Sequence, residues 1–433
     1  MDSIHKTSGA GALVRTFLTV GAMRFAALPL TLLTSIALAR ILGASDFGMF
    51  AFAVSLAGML SLPVGPAFGL IVTREAARAA ENNNFGLIKG LTRRCSQMLW
   101  AYSLIILLSV VIAYFGFGLG SITVLTAAVL SPLLARIDLD GAFMRAFHHA
   151  ALSQLCSMLL RPIAVLVVSL VIWWVGGLNL TGAFIAQVVA STVILVVSSV
   201  LLRRTLPNEM AGASASYADR AWMKAYPPFL LISSMNFFSL SIGIVWLGLI
   251  GDTEGASGMR VGQSAGQLVQ LALVAVNLVV QPQLAHRGSG LSDQQAVIRP
   301  FVHGARLAFV GSLLIGLPLL VFAGPLIHMV YGEEFVPLAA TATQMVVLGQ
   351  IINASAGPSG MLLAMSGNER LAFRSQLAGL IFTLVFVISL SPAFGATGAA
   401  LGIAAGLAVK NGFEVIYLRR IYNRWLFAFS RLP

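Results

Sequence analysis

Three long stretches without a charged residue constrain this chain more than any other feature. Cys95 to Ala135 and Pro162 to Leu202 each run for 41 residues, and Ser375 to Val409 for 35, with Arg or Lys at every boundary. A helix of the longer size would extend about 60 Å at about 1.5 Å per residue, twice the roughly 30 Å hydrocarbon core of a bilayer. Each stretch must therefore fold back on itself. Each has a turn near its middle: FGFGLGS at 115–121, WWVGGLNL at 173–180 and SPAFGATG at 391–398. Hairpins with apolar bodies and two basic ends belong in a membrane, with those ends on the cytoplasmic side. Only 10% of the residues are charged and 58% are hydrophobic, against about 25% charged in soluble domains.

Single spans fitted between the hairpins predict an all-α polytopic membrane protein of about twelve transmembrane helices. The predicted spans are 17–39, 47–72, 95–115, 121–144, 152–174, 180–202, 226–250, 257–284, 304–324, 335–364, 371–391 and 395–418. On this plan, of 27 Lys and Arg only Arg40 and Arg260 fall on the outer side. The net charge of +12 is thus a cytoplasmic rim rather than a nucleic-acid surface. Both termini are expected to be cytoplasmic. Cys95 and Cys156 sit in apolar contexts and read as small buried hydrophobes. Between the first two spans, Gly43 and Gly48 permit a tight reversal, and Ser45 and Asp46 are suitable N-cap residues.

An internal repeat divides the chain. ILGASDFGMF at 41–50 is similar to LIGDTEGASGMR at 249–260, DGAFMRAFHH at 140–149 to SGMLLAMSGN at 359–368, and LTGAFIAQVVAS at 180–191 to ATGAALGIAAG at 396–406. Three matches in order, at similar offset, predict two six-helix halves in parallel orientation, one of the known transporter architectures. The expected boundaries are 1–202 for the first lobe, 203–225 for a cytoplasmic linker and 226–433 for the second lobe with its basic tail.

LARILGASDFGMFAFAVSLAG at 38–58, FGLIVTREAARAA at 68–80, VYGEEFVPLAA at 330–340 and PAFGATGAALGIAAG at 392–406 carry a family resemblance. In this order they resemble the polysaccharide-export branch of the MOP (multidrug/oligosaccharidyl-lipid/polysaccharide) superfamily, and most nearly the Wzx-type O-antigen and exopolysaccharide flippases. The resemblance implies two six-helix lobes around a central cavity that opens to each face in turn. It implies a cargo of undecaprenyl-diphosphate-linked oligosaccharide, a bacterial cytoplasmic (inner) membrane, and a polysaccharide polymerase and co-polymerase as partners. Related lipid II flippases usually carry two further helices, which tilts the reading toward a surface-glycan repeat unit.

A flippase makes no covalent bond, so its working residues are those that meet a diphosphate and sugars inside the membrane. A charged side chain at mid-bilayer costs at least about 2.5–3.5 kcal/mol, which marks each one as a functional candidate. Arg24 lies about 10 Å into helix one, where its guanidinium either faces the cavity and pairs with phosphate or snorkels to the headgroups. Arg40 and Arg260 occupy matching outer places in the two halves. They either hold the diphosphate in the outward-open state, or anchor outer headgroups or pair with Asp46, Asp252 or Glu254. On helix eight, Gln263, Gln267 and Gln270 share one face and offer amides to sugar hydroxyls or to neighbouring helices. Asn236 on helix seven, with Gln350 and Asn353 on helix ten, extends the same amide set.

Ion-coupling candidates are Asp138 and Asp140 on helix four and Glu414 on helix twelve, the carboxylates a coupling H+ or Na+ would need. Arg136 and Asp140 are spaced i, i+4, as are Lys410 and Glu414, so mutual neutralisation competes with coupling. Pro63 and Pro66 in helix two and Pro358 in helix ten are expected to kink their helices. His148 and His149 read as a solvated helix end rather than metal ligands. The chain shows no HExxH, Walker A or GxSxG pattern, so no enzyme chemistry, metal or cofactor is expected. Two alternatives to the flippase remain: an ion-coupled drug or organic-cation antiporter, which would present acidic residues to its cargo, and a membrane glycan polymerase or ligase, which would carry a large outer loop.

Overall fold

A computed structural model describes residues 10–117, 121–210, 212–287 and 294–431. The described residues are helices and connecting turns, without strands. Nine helices among them are long and apolar enough to cross a membrane, and the pair Asp219–Met235 and Phe237–Leu249 makes a tenth candidate. Two of these ten contain a glycine with non-helical backbone: Gly43 (φ 78°, ψ 172°) in Ala10–Ser61 and Gly395 (φ 52°, ψ −132°) in Glu369–Tyr422. Positive φ is open to glycine without a Cβ clash, so each is two helices joined at that residue, and the described crossings number twelve. The chain is a multi-pass membrane protein. The turn at 118–120 lies outside the described residues, as does Lys6.

Helix three, Phe85–Phe117, shows why this chain needs lipid as solvent. Trp100, Leu104, Ile105, Leu107, Leu108 and Ile112 are all more than half exposed. Helix four, Ile122–Ala146, is instead buried along most of its length. Observed helices run a few residues past the apolar spans at several ends, because charged residues continue the helix into the headgroup region.

The structure forms two compact units, Met1–Leu42 with Phe52–Asn236 and Gly43–Ala51 with Phe237–Pro433. The first is built on Val64, Phe68, Ile71, Leu139, Phe143 and Trp222. Within it the segment after helix six returns to the start of helix three. Ser216 donates its backbone N–H to Gly86, Lys89 donates to the carbonyl of Ala213 at 2.8 Å, and Arg94 pairs with Asp219. The second unit is built on Ile242, Leu247, Met259, Val346, Val387 and Ile403, with a further cluster around Phe301, Leu363 and Leu418. The segment 43–51 belongs here: Phe47 meets Phe335 edge-on, ring centroids 6.2 Å apart.

The prolines act as breaks of two kinds. Pro63–Ala67 is one turn of π-helix between the two α-helical parts of helix two, since Pro63 and Pro66 have no N–H for an α-helical bond. Helix ten is interrupted rather than kinked. It runs Val336–Ala356, breaks at Gly357 (φ 67°) and Pro358, and resumes as Ser359–Met365. The short helix Ala323–Tyr331, which follows helix nine, is not marked by hydropathy alone because its apolar residues continue the preceding span.

Candidate functional site

Two buried polar clusters stand out, one in each unit. In the first, helix four delivers Asp140, only 1% exposed, into contact with three donors. Arg136 Nε lies 2.9 Å from its Oδ1, and Ser198 and Ser199 on helix six donate to Oδ2 at 3.1 and 2.8 Å. The i, i+4 spacing aligns Arg136 and Asp140 on one face, with Asp140 buried and Arg136 partly exposed. Arg145 donates to Ser153 Oγ at 2.9 Å. Asp138 lies over the π-turn of helix two, where a Cβ on Gly65 would come 3.1 Å from its Oδ2. Its electrostatic neighbours are Arg161 and Arg145.

In the second unit Glu414 of helix twelve is 4% exposed. Ser359, at the resumption of helix ten, donates to its Oε2 at 2.6 Å. Gly360 allows this approach, since a Cβ there would stand 2.7 Å from Oε1. A ladder of amides lies alongside: Asn411 Nδ2 donates to Asn353 Oδ1 at 3.0 Å, and Asn353 Nδ2 to Gln350 Oε1 at 3.4 Å. Lys410 does not reach ion-pair distance of Glu414 among the described residues, which corrects the pairing expected from their spacing. The carboxylate is turned to the break in helix ten instead. Asn411 and Ser359 were not marked as site residues in the sequence; Ser359 opens the repeat match at 359–368, whereas Asn411 lies outside all three matches.

That alignment relates the two clusters. The repeat aligns Asp140 with Ser359, and at the second offset Ser198 with Glu414. Both units therefore join the fourth and sixth helices of the half by a carboxylate–serine hydrogen bond, with acid and hydroxyl exchanged. The position matching Arg136 is Ser355, so the second unit lacks the built-in cation of the first.

The remaining candidates are distributed as follows. Arg24 and Arg40 belong to the first unit and are exposed. Arg260 belongs to the second, is half-buried, and has Tyr331 as electrostatic neighbour. Gln263 donates to the carbonyl of Leu240 and thereby ties helix eight to helix seven. Gln267 and Gln270 are half-buried further along the same helix. Asn277 Oδ1 is buried without a hydrogen bond among the described residues. Asn236 falls within helix seven, but its side chain lies outside the described residues. His148 and His149 form an exposed turn, His148 with φ 63°. Cys95 and Cys156 are buried free thiols. No group of three or more His, Cys, Asp or Glu is placed to hold a metal among the described residues.

No protein-family model matches the sequence, and no curated protein matches it. Solved structures do match in fold. An inward-facing multidrug-resistance MATE-family transporter of the MOP superfamily superposes with a TM-score of 0.69 at 15% identity, over 93% of this chain and 98% of that one. The lipid II flippase MurJ, in an inward closed conformation, gives 0.66 at 13% identity over 93% and 87%. A MOP-superfamily transporter from Pyrococcus furiosus, described by the reverse polarity of its binding pocket, gives 0.61 at 15% identity over 98% of both chains. The fold is that of MOP-superfamily transporters.

Proposed function

We propose that this protein is a flippase for undecaprenyl-diphosphate-linked oligosaccharide repeat units, moving them across the bacterial inner membrane by alternating access for O-antigen, capsule or exopolysaccharide assembly. The observation that carries this reading is the sign of the charge on the candidate cargo residues. Helices one and eight bear Arg24, Arg40 and Arg260. Four carboxylates have partners within their own units: Asp140 with Arg136, Glu75 with Arg74 and Arg78, Asp219 with Arg94, and Glu414 with the hydroxyl of Ser359. A guanidinium suits a diphosphate and repels an organic cation. Gln267 and Gln270 supply amides for the sugars. Glu414 is assigned the coupling H+ or Na+, because among the described residues its carboxylate has no ion pair such as Arg136 makes with Asp140. A polymerase and co-polymerase would take the delivered unit onward.

The test is genetic. Deletion should abolish a surface polysaccharide while lipid-linked units accumulate on the inner leaflet, and Arg24→Ala should reproduce that loss with the protein level unchanged. Unaltered glycan together with new dye sensitivity would instead mark a drug antiporter; the MATE-family neighbour is named for multidrug resistance.

A further inference from the structure

A groove of about 520 Å³ opens on the second unit between helix ten, helix twelve and the chain that follows helix twelve. Ile352 and Ala356, Val415 and Ile416, and Trp425 and Phe427 wall it from these three sides. Its size falls within the roughly 300–1,000 Å³ of ligand sites. The third wall is fixed in place. Arg306 donates to the carbonyls of Ala428 at 3.2 Å and Ser430 at 2.7 Å, and Ala428 donates its N–H to Ser355 at 2.9 Å. Phe429 stacks edge-on against Phe309, centroids 4.9 Å apart.

The rim differs in chemistry from the walls. Residues 415–431 contain four arginines, at 419, 420, 424 and 431, and no carboxylate; all four are exposed. The Arg419 guanidinium lies 4.2 Å from the centre of the Trp425 ring, so the indole that walls the groove also carries a cation at its mouth. A half-exposed Trp among arginines at the end of a crossing helix is the composition of a membrane–water interface. An apolar groove at that depth gives water too few hydrogen-bond partners to fill it, and a hydrocarbon chain is the solvent at hand.

We propose that this groove binds an anionic phospholipid, one acyl chain lying between Ile352, Val415 and Phe427 and the phosphate held beside Arg419 and Arg424. Charge complementarity selects the anionic headgroup, and the apolar walls select the chain. The groove shares Asn411 with the amide ladder beside Glu414 and involves none of Arg24, Arg40 and Arg260. Gly412 provides a clean test: it lines the groove, and a Cβ on it would meet nothing within 4 Å. Gly412→Trp should fill the groove while improving helix propensity, with Gly412→Ala as the open control.

Thermal unfolding of the full-length protein, delipidated in a neutral detergent, reads the result, because a ligand of the folded state raises the midpoint. Phosphatidylglycerol should raise the midpoint of the wild type and of Gly412→Ala. That shift should vanish in Gly412→Trp and shrink in the double variant Arg419→Gln/Arg424→Gln. Retention of the full shift by Gly412→Trp overturns the proposal. So does an equal shift from phosphatidylcholine, or its reproduction by glycerol phosphate alone, which would mark a free-anion site.

Discussion

The carboxylate of Asp140 receives three donors, one of them a guanidinium, whereas that of Glu414 receives one hydroxyl. Removing one partner of a buried ion pair leaves the other charge unpaired and costs about 3–5 kcal/mol. Arg136→Ala should therefore lower the thermal unfolding midpoint of the purified protein sharply. Glu414→Gln should not, since the amide remains a hydrogen-bond acceptor for Ser359. In that variant transport into proteoliposomes should lose its dependence on the H+ or Na+ gradient, and an unchanged dependence would exclude Glu414 as the coupling group. The two i, i+4 pairs show how far residue spacing can be trusted. Arg136–Asp140 forms as its spacing predicts, and Lys410–Glu414 does not. Helical periodicity places side chains on one face, but the element packed across from them chooses the partner.

The decisive elements are the interrupted ones. Gly43, the π-turns at Pro63–Ala67 and Leu155–Leu160, the break at Gly357–Pro358 and Gly395 are among the places where the chain departs from α-helix. Prolines and glycines marked most of these positions, because a missing N–H or Cβ acts locally. What each interruption accomplishes depends on packing: the one in helix ten presents Ser359 to Glu414. Close packing gives a sharp test in the second unit. A Cβ on Gly48 would overlap the carbonyl of Thr253, at the start of helix eight. Gly48→Val should destabilise by at least about 1–3 kcal/mol through overpacking, seen as reduced protein in membranes and a lowered unfolding midpoint. A normal level and midpoint would show that segment 43–51 does not pack there.

At the scale of the whole molecule, twelve crossings with 25 of 27 cationic side chains assigned to one side make a topology experiment discriminating. Alkaline phosphatase fused after Gly177 or Gly251 should be active, and fused after Ser216 or Arg431 inactive. Activity at Ser216 would reverse the orientation. The crossings and their approximate ends were legible because hydropathy and charge are summed over some twenty residues, and the bilayer acts on that sum. The sequence alone thus determined that the chain is an all-helical membrane protein and where most of its crossings begin and end. Only the tertiary structure decided the partners that spacing does not reveal: it brought Ser198 and Ser199 to Asp140, gave Glu414 to Ser359 and Gln263 to Leu240, and folded the tail beside a groove. The physical reason is range. Solvation is a property of each residue in its segment, whereas a hydrogen bond needs two atoms within about 3 Å, brought together from helices far apart in the chain.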